Sequence, residues 1–235
     1  MTPTDFSFEP FYLVVAAVLG VAYARARPRG RWRIASFATG LFLMAAPLNS
    51  PMETIAAKRL LLIHLIQNAL IADIAPILVL LGLTPAMKQW IERHGGARMR
   101  ARWAIVAWLV AWYGTHLAGF YDWALREGWA LNIEHGVLIA GGFLFWWPIV
   151  SGRLPAPLAL AYLGAGFVAS SFLGLAFIFS SHPFYSFYEH APRLWGFSAA
   201  RDQNLGGIAM NGEQTLVFLL AIGYYVSKLL KEEDA

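Results

Sequence analysis

Apolar residues in this chain gather into long runs separated by short polar stretches, and the length of each run is the first clue to its structure. A helix that crosses a bilayer core needs about 20 mostly apolar residues, within a range near 17–25. Seven stretches are candidates, at residues 8–24, 32–48, 60–83, 103–118, 133–150, 158–180 and 205–229, the fourth being the shortest. No linker, repeat or low-complexity tract interrupts them. The pattern predicts an all-α polytopic integral membrane protein, a seven-transmembrane-helix bundle forming a single transmembrane domain over residues 1–235.

Basic residues between the runs give the bundle a direction. One side would carry Arg25, Arg27, Arg29, Arg31 and Arg33, then Lys88, Arg93, Arg98, Arg100 and Arg102, and finally Arg153, Lys228 and Lys231. The other side would hold only Lys58, Arg59, Arg126, Arg193 and Arg201. The positive-inside rule then places the N-terminus outside and the C-terminus in the cytoplasm, which an odd number of crossings requires. In the first run, Ala22-Tyr23-Ala24 has the form of a signal-peptide cleavage site, but Asp5 and Glu9 precede the apolar stretch and the arginines follow it. That order is the reverse of a signal peptide, so the segment is expected to be retained.

Composition supports the same class. Hydrophobic residues make up 58% of the chain and charged residues 14%, against about 45–50% and about 25% in soluble domains. The net charge of +4 raises the question of nucleic acid. Arginine runs beside membrane spans instead set topology and meet anionic lipid, so no nucleic-acid partner is expected. Zero Cys excludes disulfides, thiolate metal sites and Cys-held iron–sulfur clusters. A bound metal would have to use His, Met, carboxylate or amide groups.

Ionisable residues inside spans are costly, which makes each a functional candidate. His64 lies about one turn below the outer surface, with Gln67 and Asn68 at i+3 and i+4 on the same face. The fourth span ends at Thr115-His116 and the fifth begins at Asn132-Ile133-Glu134-His135. Three histidines from three helices, His64, His116 and His135, therefore share one outer level. They fit a metal or haem site, a polar packing network, or a proton path. Gln67, Glu134, Asp202, Gln203, Met210 and Glu213 are supporting or alternative ligands, the methionine because thioether suits Cu(I). Asp202 and Asn204 suit the start of the last helix as caps, and Asp73, followed by Pro76, is either a paired carboxyl group or a relay near mid-membrane. His94 reads as a solvated loop residue, whereas His182 and His190 occupy an outer loop that leads toward the site. Gly166, Ser170 and Gly174 form a small-residue stripe for close helix packing, and Phe145-Trp146-Trp147-Pro148 reads as an interfacial anchor.

At these residues the sequence resembles the seven-span CtaG family of cytochrome c oxidase assembly factors. The resemblance rests on His64-Leu-Ile-Gln67-Asn68 leading to Ala75-Pro76 and Gly82-Leu-Thr-Pro85, on His116 followed by Tyr121-Asp122, on Glu134-His135 leading to Trp146-Trp147-Pro148, and on Asp202-Gln203-Asn204-Leu205-Gly206-Gly207. One departure stands out, because Asn68 occupies the place of the second histidine in the family's His-x-x-Gln-His pattern. The resemblance implies a non-catalytic role in maturing haem–copper oxidase in the bacterial cytoplasmic membrane. It also implies copper as the bound metal and an oxidase subunit or another assembly factor as partner. On this reading His64, His116 and His135 hold copper near the outer surface, with Glu134, Asp202 and Gln203 orienting them. Two alternatives use the same residues. One is a zinc-dependent membrane hydrolase with a carboxylate activating water; the other is a b-type haem protein with His64 as an axial ligand.

Overall fold

Backbone N–H and C=O groups find no partners in hydrocarbon, so a chain this apolar satisfies them internally, and helices do so within one segment. The computed structural model describes residues 4–96 and 100–233, and every regular element among them is helical. Arg98 lies outside the described residues.

The helices are α1 (Pro10–Arg25), α2 (Arg31–Ala45), α3 (Pro51–Lys58), α4 (Leu61–Ala69), α5 (Ala75–Gly82), α6 (Pro85–Arg93), α7 (Ala101–Thr115), α8 (Ala118–Arg126), α9 (Gly128–Val150), α10 (Ala156–Phe179), α11 (Ser186–His190) and α12 (Ala199–Glu233). Among the described residues, four helical segments are long and apolar enough to cross a membrane: Leu61–Gly82, α9, α10 and α12. A fifth exists if α7 and α8, bent by 67° at their junction, count together. The two remaining predicted spans correspond to α1 and α2, which at 16 and 15 residues fall short of the usual length.

The segment Leu61–Gly82 joins α4 to α5 through a π turn over Leu70–Ile74, where the Ala75 amide reaches back to the Leu70 carbonyl. Pro76 explains the widening, because it has no N–H to give the Ala72 carbonyl four residues earlier. That carbonyl packs against Gly142 of α9, where a Cβ would overlap it. The break after α7 also has a local cause. Thr115 Oγ1 and His116 Nδ1 both turn back to carbonyls of the last turn, Ala111 at 2.8 Å and Trp112 at 2.7 Å.

Helices α10 and α12 pack closely along the predicted small-residue stripe. A Cβ at Gly166 would meet the Phe218 ring of α12 at 3.3 Å and the Phe145 ring of α9 at 2.7 Å, and one at Gly174 would overlap the Asn211 amide of α12. Gly206 and Gly207 of α12 do the same against Leu65 and Phe177. Two sequence readings change. Phe145, Trp146 and Trp147 are buried in the core instead of anchoring the interface, and the Trp146 indole donates to Asp73 Oδ1 at 3.2 Å. An apolar run at a span's end looks the same whether it faces lipid or protein. Helix α12 starts at Ala199, so Asp202 lies within its first turn, and Ser198 Oγ takes the cap position, accepting from the Arg201 amide at 3.2 Å.

Basic residues gather at one end of the bundle. Lys88 donates to the Val150 carbonyl at 2.9 Å, and Arg153 bonds the Gly96 carbonyl at 2.6 Å and faces Glu92 at 3.6 Å.

Candidate metal centre

Three helices build the buried polar site. Leu61 opens α4, and its amide and that of Leu62, both lacking intrahelical partners, donate to Asp202 Oδ2 and Oδ1 at 2.9 and 3.0 Å. Asp202 thus caps another helix instead of its own, with Arg193 3.6 Å away. This clamp of α12 on α4 fixes the height of His64, one turn further along.

His64 Nε2 lies 3.3 Å from Glu134 Oε2, and His135 Nε2 lies 3.7 Å from the same oxygen. The ligand atoms of these three residues all fall within 4.8 Å of one another, and the residues are 1%, 0% and 1% exposed. Asn68 donates to the other carboxylate oxygen at 3.0 Å and so turns Oε2 toward the histidines.

Protonation of the site follows from its partners. Tyr188 donates its single hydroxyl hydrogen to the Ala56 carbonyl at 2.5 Å. Burial and the Glu134 carboxylate push that phenol well above its ordinary range, so it keeps the hydrogen. The same hydroxyl lies 2.8 Å from His64 Nδ1 and, its proton being committed, accepts there. With its hydrogen on Nδ1, the neutral His64 ring presents the Nε2 lone pair to Glu134. Two electron pairs 3.3 Å apart repel unless a cation lies between them. His64 Nε2, His135 Nε2 and Glu134 Oε2 are also buried without hydrogen-bond partners, which folded proteins rarely tolerate. A single proton on His64 would satisfy the shorter contact and leave His135 Nε2 orphaned. A metal ion would satisfy all three.

His116 stands apart from this triad. Its Nδ1 gives hydrogen to Trp112 and its Nε2 is buried and unpartnered, the state in which an imidazole binds metal. Tyr121 lies between the two groups, its ring 5.1 Å from the His64 ring and 5.6 Å from the His116 ring. Gln67 turns away to Glu53, at 2.7 Å, and to the Pro47 carbonyl. Gln203 ties down the loop between α10 and α11 through the Phe184 amide and the His182 carbonyl. Met210 is buried in the apolar cluster that includes Leu65 and Tyr121. Glu213 lies deeper, within electrostatic reach of Asp73, and both its carboxylate oxygens are unpartnered. His94, His182 and His190 are exposed.

Sequence reading missed the tyrosine wall. Tyr121 stacks on Tyr185 at 4.2 Å, and the Tyr185 hydroxyl donates to the His116 carbonyl at 2.9 Å. Tyr185 and Tyr188 belong to a loop that Asp122 secures, accepting from the amides of Ser186 and Phe187. Their only sequence signal was aromatic content in a polar outer loop.

No match was found among curated proteins or solved structures. The family model for the cytochrome c oxidase caa3 assembly factor (Caa3_CtaG) matches residues 15–232, a stretch that contains every residue of the site just described. The chain belongs to the family of cytochrome c oxidase caa3 assembly factors.

Proposed function

We propose that this assembly factor binds copper through His64, Glu134 and His135 and delivers it, as cargo, to a haem–copper oxidase subunit or a further assembly factor at the outer face of the bacterial cytoplasmic membrane. The observation that carries the reading is the meeting of three unpartnered buried atoms, two imidazole nitrogens and one carboxylate oxygen, around one point. Imidazole and carboxylate together suit copper in its divalent state, and imidazole also holds the monovalent ion. Three ligands leave the coordination shell incomplete, so a partner's ligand can enter before the last of these leaves. His116, with its free Nε2 beyond Tyr121, offers a second station for the departing ion.

Topology belongs to the same proposal. Seven crossings, with α1 and α2 as short spans and α7 with α8 as a bent one, put the basic end in the cytoplasm and the triad at the outer level.

Copper measured in the purified full-length protein after reconstitution tests the reading. About one ion per chain is expected, lost in His64→Ala and His135→Ala, with cellular oxidase activity falling in parallel. Absence of copper together with intact oxidase activity in both variants would overturn it. Two histidines and a glutamate also form a catalytic zinc set. Zinc in place of copper, with amide or ester cleavage that depends on His64, would replace this reading by a hydrolase. A Soret band would replace it by haem, although the Glu134 carboxylate between the imidazoles favours a single ion over a macrocycle.

A further inference from the structure

Helix α12 touches α4 closely at its outer end, where Gly206 removes the side chain that would collide with Leu62 and Leu65. Further along, α5 and α12 leave a groove of about 540 Å³ between them, backed by the end of α9. Its walls are Ile77, Leu81, Leu220 and Ala221, and Trp146 also lines it. At the basic end the lining changes character and includes Lys88 and Lys228. From Val217 to Lys228 the groove follows α12 for eleven residues, about 16 Å by helical rise. That is close to half of the roughly 30 Å hydrocarbon core, the depth of one leaflet.

The two lysines are placed for an anion. Lys88 gives one of its three ammonium hydrogens to the Val150 carbonyl, at 2.9 Å. Burial and the nearby Arg33 guanidinium push its ammonium below the ordinary lysine range, so a negative partner would relieve it. Lys228 lies over the Tyr225 ring at 5.9 Å on the facing helix. Glu92, one turn beyond Lys88, faces Arg153 at 3.6 Å.

We propose that this groove binds an anionic phospholipid, one acyl chain lying between α5 and α12 and the phosphate held by Lys88 and Lys228. Charge complementarity and the match of groove length to one leaflet select this occupant. Basic pockets between spans hold anionic headgroups in the same manner. The site is separate from the copper triad and does not require copper binding; it shares with that proposal only the direction of the bundle.

Native mass spectrometry of the full-length protein, incubated with equimolar dioleoyl phosphatidylglycerol and dioleoyl phosphatidylcholine, tests it. The wild type should retain the anionic lipid about fivefold or more over the zwitterionic one. Lys88→Gln with Lys228→Gln should abolish that preference, Lys88→Arg should keep it, and Ala221→Trp should lower retention of both lipids by filling the groove. Lys88→Gln alone, with a reduced preference expected, serves if the double variant does not fold. Equal retention by the wild type, or an unchanged preference in both lysine variants, would overturn the proposal. So would unaltered retention in Ala221→Trp, or displacement of the anionic lipid by inorganic phosphate, since both mean a surface charge effect without the groove.

Discussion

At the scale of single residues, Tyr188 determines what His64 can do. By spending its hydrogen on the Ala56 carbonyl it becomes an acceptor for His64 Nδ1 and leaves Nε2 as the face turned to Glu134. Removing such an outer hydrogen-bond partner commonly lowers metal affinity about 10–100-fold. Tyr188→Phe should therefore weaken copper binding by about tenfold without removing a ligand, as read by competition against a chromophoric chelator. Unchanged affinity would show that the tautomer is held by something else. Asn68 offers the complementary test. It bonds Glu134 Oε1 at 3.0 Å and its own Oδ1 is unpartnered. Asn68→His places a third imidazole beside Glu134 and should tighten copper binding by about tenfold in the same titration, an increment in line with the effect of adjusting the groups around a ligand set. Weaker binding would mean that aligning Glu134 matters more than an added nitrogen.

At the scale of elements, the contacts that hold the site at its depth lie outside it. Asp202 is fully buried and serves both amides at the start of α4. Asp202→Ala strips that cap and should cost about 1–2 kcal/mol, seen as a lower melting temperature in detergent, with copper loosened because His64 sits on the frayed turn. Gly142 is the second such contact, because the Ala72 carbonyl exposed by the π turn packs where a Cβ would stand. Gly142→Ala should destabilise the fold by about 1–3 kcal/mol, as overpacking does, while Gly164→Ala, with open space around it in the interior of α10, should hold or raise the melting temperature. These elements also mark how far the sequence could be read. Apolar run length revealed the helices, and depth along them predicted one level for His64, His116 and His135, whereas the structure groups His64 and His135 with Glu134. Depth fixes height but not rotation about the helix axis, which is why His116 lies beyond Tyr121 and Gln67 turns to Glu53. The cap by Asp202, the tyrosine wall and the burial of Trp146 depend on which helices become neighbours, information that a local pattern does not carry.

At the scale of the whole molecule, the outer level of the triad rests on the direction of the bundle, and the charge asymmetry makes that direction testable. The native chain has no Cys, so single cysteines introduced at exposed positions report sidedness without background. Phe6, Arg29, Gln89, Ser181 and Glu189 are all exposed: Phe6 precedes α1, Arg29 lies between α1 and α2, Gln89 lies in α6, and Ser181 and Glu189 both lie between α10 and α12. One crossing separates Phe6 from Arg29 if α1 spans the membrane. If α2 crosses as Leu61–Gly82 does, two separate Arg29 from Gln89, and if the bent α7–α8 pair crosses as α9 and α10 do, three separate Gln89 from Ser181. A membrane-impermeant maleimide applied to intact cells should then label Phe6→Cys, Ser181→Cys and Glu189→Cys, and should reach Arg29→Cys and Gln89→Cys only after permeabilisation. The reversed pattern would put the triad on the cytoplasmic side and remove the basis for outward delivery. Phe6→Cys and Arg29→Cys on one side would mean that α1, at 16 residues, lies in the interface. Arg29→Cys and Gln89→Cys on opposite sides would mean the same for α2, because Leu61–Gly82 is long enough to cross without it. The lipid groove shares this dependence, since Lys88 and Lys228 meet the anionic surface of the cytoplasmic leaflet only if Gln89→Cys is shielded in intact cells.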